Sequence, residues 1–269
     1  MHKINLDSIA PEPIQGHTSK GDQPKWQLDG KWYKADHMGC EALSEVLISG
    51  LLKKSNVPNF VEYEPVLIRY HGKETPGCVS GSFREKDEML IPFERLHRAY
   101  TGKGLAATLG GITTPIERIR YTVDFIEQTT DLTGVGAYLT LLLELDSFCL
   151  NEDRHTNNLA IIRNEKTLKF RLCPIFDNGL ALLSDLNDYP LEKDMYDCIS
   201  RVRAKPFALN FDAQVEAAES LYGPQLKFRF SKHELPEELD SLRALYPQEI
   251  LRRTEDILRE QIRKYPVYF

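Results

Sequence analysis

Cysteine is scarce in this chain, 5 among 269 residues and odd in number. Cys40, Cys78, Cys149, Cys173 and Cys198 are widely spaced and form no C-x-x-C pair, which excludes a disulfide framework or a zinc site and leaves buried or incidental thiols. Long hydrophobic runs are missing too. The longest, from Leu139 to Leu145, is broken by Thr140 and Glu144 and falls far short of the ~20 residues of a membrane-spanning helix. The opening residues Met1 to Asp7 lack the apolar stretch of a signal peptide, so a cytoplasmic protein is expected. Positive charge is in short supply: 34 Lys and Arg face 40 Asp and Glu, for a formal charge of −6. Basic residues cluster no further than pairs such as Lys53-Lys54 and Arg252-Arg253, which gives no footprint for duplex DNA or an anionic membrane. No direct nucleic-acid or membrane partner is expected. No internal repeat is visible, and 16 Gly with 15 Pro show neither low complexity nor a collagen period.

What is there is ordinary globular material, 42% hydrophobic and 28% charged, over a length that suggests about two domains. The first 25 residues or so are rich in Pro, Gly, Ser and Asp and read as loop. Residues 26–35 alternate around Asp29-Gly30, a hairpin signal. Across residues 41–54, Leu43, Val46, Leu47 and Leu51 recur at helical spacing, with Glu41 and Glu45 one turn apart on the same face. Residues 60–70 and 78–83 read as strands, separated by the breakers His71-Gly72 and Pro76-Gly77. Helices are predicted over 115–129 and 136–151, the first capped by Thr113 or Thr114 ahead of Pro115. A β-hairpin follows, 159–163 and 168–173, and the rest is mostly helix. The fold class predicted is α+β, with a β-rich front (1–90) and a helical back (91–269).

The most informative stretch is Asn151-Glu152-Asp153-Arg154-His155-Thr156-Asn157-Asn158, then the hairpin, then Pro174-Ile175-Phe176-Asp177-Asn178-Gly179. Asp153 and Asn158 form D-x-x-x-x-N, and beyond two short strands comes an apolar-apolar-Asp turn. In phosphoryl transfer by kinases, an Asp accepts the proton of the acceptor hydroxyl, an Asn five positions on binds Mg²⁺, and a second Asp bridges metal to phosphate. A hairpin returns its ends to one side, so Asn158 and Asp177 are expected to share one ion; two oxygen ligands plus phosphate and water suit Mg²⁺. A kinase must also hold its nucleotide. Gly21-Asp22-Gln23-Pro24-Lys25 leads into Trp32-Tyr33-Lys34 on a strand, and Lys34 would neutralise the α- and β-phosphates while a carboxylate from the next helix, Glu41 or Glu45, steadies it. Asp and Asn before strands are also common turn residues, and a strand lysine beside helix acids is often only surface; the combination favours chemistry. Gly102-Lys103-Gly104 and Gly110-Gly111 complete no G-x-x-x-x-G-K-[ST] and read as a mobile loop. No H-x-x-x-H and no G-x-S-x-G is present, and His155 reads as an orienting or packing residue.

These residues resemble the HipA-like serine/threonine kinases, whose catalytic loop reads D-R-H-x-x-N and whose metal turn reads P-x-[FY]-D; Gly21, Gln23 and Lys25 are similar to that family's G-x-Q-x-K ATP loop. The resemblance implies a bilobal protein-kinase-like fold, related to the phosphoinositide kinases, with ATP and Mg²⁺ as cofactors. It implies Asp153 as catalytic base, Asn158 and Asp177 as Mg²⁺ ligands, and Lys34 as phosphate-binding lysine. Gly21, Gln23 and Lys25 would cover the phosphates, and Gly81-Ser82-Phe83 would form the hinge beside adenine. The family comprises toxins of bacterial toxin–antitoxin systems, so the implied partners are a protein substrate such as an aminoacyl-tRNA synthetase and an antitoxin protein. Some members silence themselves on a serine of the ATP loop, near Thr18 or Ser19 here. The chain departs from the family in beginning close to the ATP loop, as compact or split forms lacking an extra N-terminal subdomain do. It also has Asn157 where some members carry Lys, so a charge that would steady the phosphoryl must come from elsewhere or be absent. A kinase of a small molecule or lipid and a catalytically silent nucleotide-binding module are the alternatives.

Overall fold

A computed structural model of the protein describes residues 2–12 and 23–269. The chain divides into two compact units: Met1–Ser82 with Phe176–Val202 and Lys227–Phe269, and Phe83–Ile175 with Arg203–Leu226. Thr18, Ser19 and Gly21 lie outside the described residues.

The first unit is built on strands β1 (His2–Asn5), β2 (Lys25–Leu28), β3 (Lys31–Ala35), β4 (Glu64–Tyr70) and β5 (Lys73–Gly81), with helix α1 (Glu41–Lys53) between β3 and β4. The sheet order is β1-β4-β5-β3-β2. The β2–β3 hairpin turns through Asp29 and Gly30 at φ 50° and 74°, the left-handed pair that a two-residue turn needs. The stretch before Lys25 is not all loop, because β1 pairs in parallel with β4, His2 opposite Val66. Its four residues alternate only weakly and find their partner some sixty positions away, so no local pattern announces them. Pro76-Gly77 does not break the chain either; both lie inside β5. The Pro76 carbonyl accepts from Asp36 N, beyond the end of β3, so its missing N–H faces a side where no ladder continues. Gly77 is required there, since a Cβ would sit 2.6 Å from the Lys34 carbonyl. Leu6, Trp26, Tyr33, Val66, Ile68 and Val79 form the core on one face.

The second unit has strand β6 (Glu88–Pro92), helices α2 (Phe93–Thr101), α3 (Leu105–Leu109), α4 (Pro115–Thr130) and α5 (Val135–Cys149), and the hairpin β7 (Ala160–Asn164) and β8 (Phe170–Leu172). The expected hairpin gains β6 as a third strand, in the order β6-β7-β8. Gly102-Lys103-Gly104 is the short link between α2 and α3. Thr114, not Thr113, caps α4, in a capping box with Glu117. Of the remaining helices, α6 (Met195–Arg201), α8 (Leu235–Glu238) and α9 (Gln248–Lys264) belong to the first unit and α7 (Phe211–Tyr222) to the second. Among the described residues, no helix is long and apolar enough to cross a membrane. All five cysteines are buried free thiols.

Where β3 hands over to α1, Asp36 accepts from Ala42 N and from the Tyr246 hydroxyl, both at 2.7 Å. Burial pushes its carboxyl up to about 8; the Ala42 amide and Tyr246 pull the other way, and Glu41 adds to the rise. The folded protein therefore holds a proton that an unfolded chain releases near the ordinary value of 3.8, so stability contributed below that pH is lost as pH rises toward 8. Asp36→Asn keeps the Ala42 bond through Oδ1 and donates Nδ2–H to the Tyr246 oxygen, without a titrating proton. Urea unfolding at about pH 5 and about pH 8 should show the variant gaining on wild type at the higher pH. An equal difference at both would contradict the buried neutral carboxyl.

Candidate active site

The expected site residues fall into two clusters, one in each unit. In the first, β3 presents Lys34, whose neighbour across β2 is Lys25. The ammonium donates to Glu45 Oε1 at 2.5 Å, to Asp177 Oδ1 at 3.1 Å and to the Tyr63 hydroxyl at 3.3 Å. Glu45, on α1, is 0% exposed and spends its other oxygen on Asn178 N at 2.9 Å, so one carboxylate fastens both the lysine and the backbone after Asp177. Burial alone would lower the Lys34 ammonium, but Glu45, with Tyr63 and Asp177 behind it, outweighs that and holds it well above the ordinary lysine range. It is charged at neutral pH. Asp177 sits in left-handed backbone at φ 61°, which Asp tolerates better than most residues and which places strain at the turn.

Glu41 and Glu45, one turn apart and left as alternatives by periodicity, have separate tasks. Glu41 accepts from the backbone N–H groups of His37, Met38 and Gly39 and thereby braces the loop ahead of α1. It does not meet Lys34. Tyr63, just before β4, was not signalled by any motif; an isolated tyrosine in a loop carries no pattern.

In the second unit, Asp146 on α5 organises the loop that follows. It receives Arg154 Nε and Nη2, both at 2.9 Å, and Asn151 Nδ2 at 2.8 Å. Arg154 is 0% exposed, so this is a fully buried, two-pronged pair. Asn151 Oδ1 in turn takes Asp153 N, and Asn158 Nδ2 donates to the Asp153 carbonyl at 2.8 Å, closing the loop on itself. Asp153 is thus held from both sides. Its Oδ2 lies 3.7 Å from His155 Nε2 and its Oδ1 3.5 Å from Lys205 Nζ. Neither ring nitrogen of His155 has a hydrogen-bond partner among the described residues.

The remaining residues are placed as follows. Gln23 precedes β2 and its Nε2 is buried without a hydrogen-bond partner among the described residues. Gly81 ends β5, the unit boundary falls between Ser82 and Phe83, and the Phe83 carbonyl accepts from Arg171 Nη2 at 2.9 Å. Taken singly, Asp177 in the first unit offers a partly exposed carboxylate and Asn158 in the second, its Nδ2 committed, an amide oxygen; both are oxygen donors of the kind Mg²⁺ takes. No group of three or more His, Cys, Asp or Glu among the described residues could hold a metal alone.

Glu45→Ala should leave Lys34 buried with Asp177 as its one remaining carboxylate and should cost about 3 kcal/mol in chemical denaturation. Glu41→Gln, which keeps an acceptor for the loop amides, should cost clearly less. Equal losses would refute the division of roles.

The fold has a solved counterpart: the crystal structure of a Helicobacter pylori proinflammatory kinase, CtkA, superposes with a TM-score of 0.65 over 97% of this chain and 94% of that one, at 16% identity. No protein-family model and no curated protein matches the chain in sequence. At that identity the likeness is one of fold: this chain has the α+β architecture of a kinase structure.

Proposed function

We propose that the protein is an ATP- and Mg²⁺-dependent serine/threonine kinase of the HipA-like type, acting on a hydroxyl of another protein. The observation that carries this reading is the Lys34–Asp177 ion pair, formed across 143 positions of sequence with Glu45 fastening both partners. A strand lysine, a helix glutamate and the aspartate of an apolar-apolar-Asp turn form the set that manages nucleotide phosphates and metal in kinases. The roles follow from the chemistry of each group. Lys34 takes up charge on the α- and β-phosphates, Asp177 and Asn158 hold Mg²⁺, and Asp153 accepts the hydroxyl proton. The acceptor oxygen bonds to the γ-phosphorus while the bond to the β,γ-bridging oxygen breaks, and the electron pair leaves with ADP. Little covalent chemistry falls to the protein, so catalysis is positioning plus charge stabilisation.

In the same reading, residues 1–90 form the nucleotide-binding lobe and 91–269 the catalytic one. Gly21, Gln23 and Lys25 cover the phosphates and Gly81 to Phe83 run beside adenine. The protein acts in the cytoplasm on a translation component such as an aminoacyl-tRNA synthetase and is held in check by an antitoxin protein.

The test is transfer from γ-labelled ATP into cell extract, with protein and small-molecule fractions counted separately, beside phosphoproteomics on expressing cells. Asp153→Ala and Asp177→Ala should reduce protein labelling to background while melting cooperatively. Transfer by Asp153→Ala at the wild-type rate would sink the reading, and label confined to small molecules would move it to another acceptor class.

A further inference from the structure

One cation at Asp153 belongs to no recognised motif. Lys205 lies 52 positions downstream, and its Nζ stands 3.5 Å from Asp153 Oδ1. The side chain is one-third exposed, while that of Asp153 is 13% exposed. Its position is built. Ala204, on one side, is fully buried and its N–H donates to the Leu209 carbonyl at 3.0 Å, closing the loop. On the other side, Gln214 of α7, 0% exposed, accepts from Phe207 N and Ala208 N at 2.9 and 3.2 Å. Arg118 of α4 then donates to the Phe207 carbonyl at 2.9 Å. Two helices and a buried aromatic, Phe207, thus pin residues 204–209, and from that stretch Lys205 reaches Asp153. A surface lysine on a free loop would show none of this.

The loop carrying Asp153 has Asn157, immediately before Asn158, where some HipA-like kinases carry a lysine. We infer that Lys205 takes over that task as a positioning residue: its ammonium holds the Asp153 carboxylate from the Oδ1 side and adds positive charge where the phosphoryl moves. The inference rests on the kinase reading and deepens it. Lysine suits the place, since a flexible stem carrying a point charge can follow the phosphoryl oxygens as charge shifts among them. An ion pair at this partial exposure contributes little to stability, so the loop's construction is better explained by placement than by the pair's energy.

Steady-state transfer by wild type, Lys205→Met, Lys205→Arg and Asp153→Ala decides it. Lys205→Met should lose about 10²-fold in kcat with the KM for ATP changed less than about threefold, and its melting should match wild type. Lys205→Arg, which keeps the charge, should recover most of the loss; a merely structural lysine would produce neither the split nor the rescue. Wild-type kcat in Lys205→Met, a change confined to KM, or a Lys205→Arg no better than Lys205→Met would overturn the inference while leaving an inert Asp153→Ala and the kinase reading intact. Wild type no more active than Asp153→Ala would bring down the kinase reading itself, and this inference with it.

Discussion

The carboxylate of Glu45 is the constraint on which the arrangement around Lys34 and Asp177 depends. It is wholly buried, and a buried charge persists only when paired and hydrogen-bonded. Both of its oxygens are committed, one to Lys34 and one to Asn178 N. Through these two bonds a strand, a helix and a turn from late in the chain are set relative to one another. Asp177 consequently reaches Lys34 because the next residue's amide is fastened, and its left-handed φ is tolerated for the same reason. The second unit repeats the device with Asp146, whose pairing to Arg154 and Asn151 shapes the loop carrying Asp153 and Asn158.

The two glutamates of α1 show how finely such tasks divide. They lie one turn apart and look equivalent by periodicity. Glu41, in the first turn, meets the unpaired amides of the loop that enters the helix, as an acidic residue at a helix N-terminus does. Glu45, one turn deeper, faces the sheet and meets Lys34. Position along the axis, not face, separates bracing from charge pairing.

Legibility in the sequence follows the range of the interaction. The β2–β3 hairpin, α1, α4, α5 and the β7–β8 pair were readable because turn residues, caps and periods are local. Strands β1 and β6 were not, being short and paired with distant segments. The candidate site divides in the same way. Asp153, Asn158, Asp177 and Lys34 stand in recognisable local frames, whereas Tyr63 and Lys205 are single residues whose relevance comes from the neighbour that folding supplies. The choice between Glu41 and Glu45 likewise waits on where the lysine's ammonium ends up.

Energetics give a further reason to read Lys34 as chemical. Desolvating an ammonium and a carboxylate costs several kcal/mol each, and a well-packed apolar pair of similar volume would be about as stable or more so. Stability alone therefore does not account for a charged lysine beneath the sheet with two carboxylates and a phenol around it. A group that must present positive charge to phosphate does need such surroundings: they keep the ammonium protonated despite burial and hold its long side chain in one rotamer before any ligand arrives. The ordering cost is met on folding, before any ligand binds. The same reasoning applies less strongly to Arg154, whose guanidinium is fully enclosed and meets nothing from solvent. Its pair with Asp146 orders the loop that carries Asp153 and Asn158.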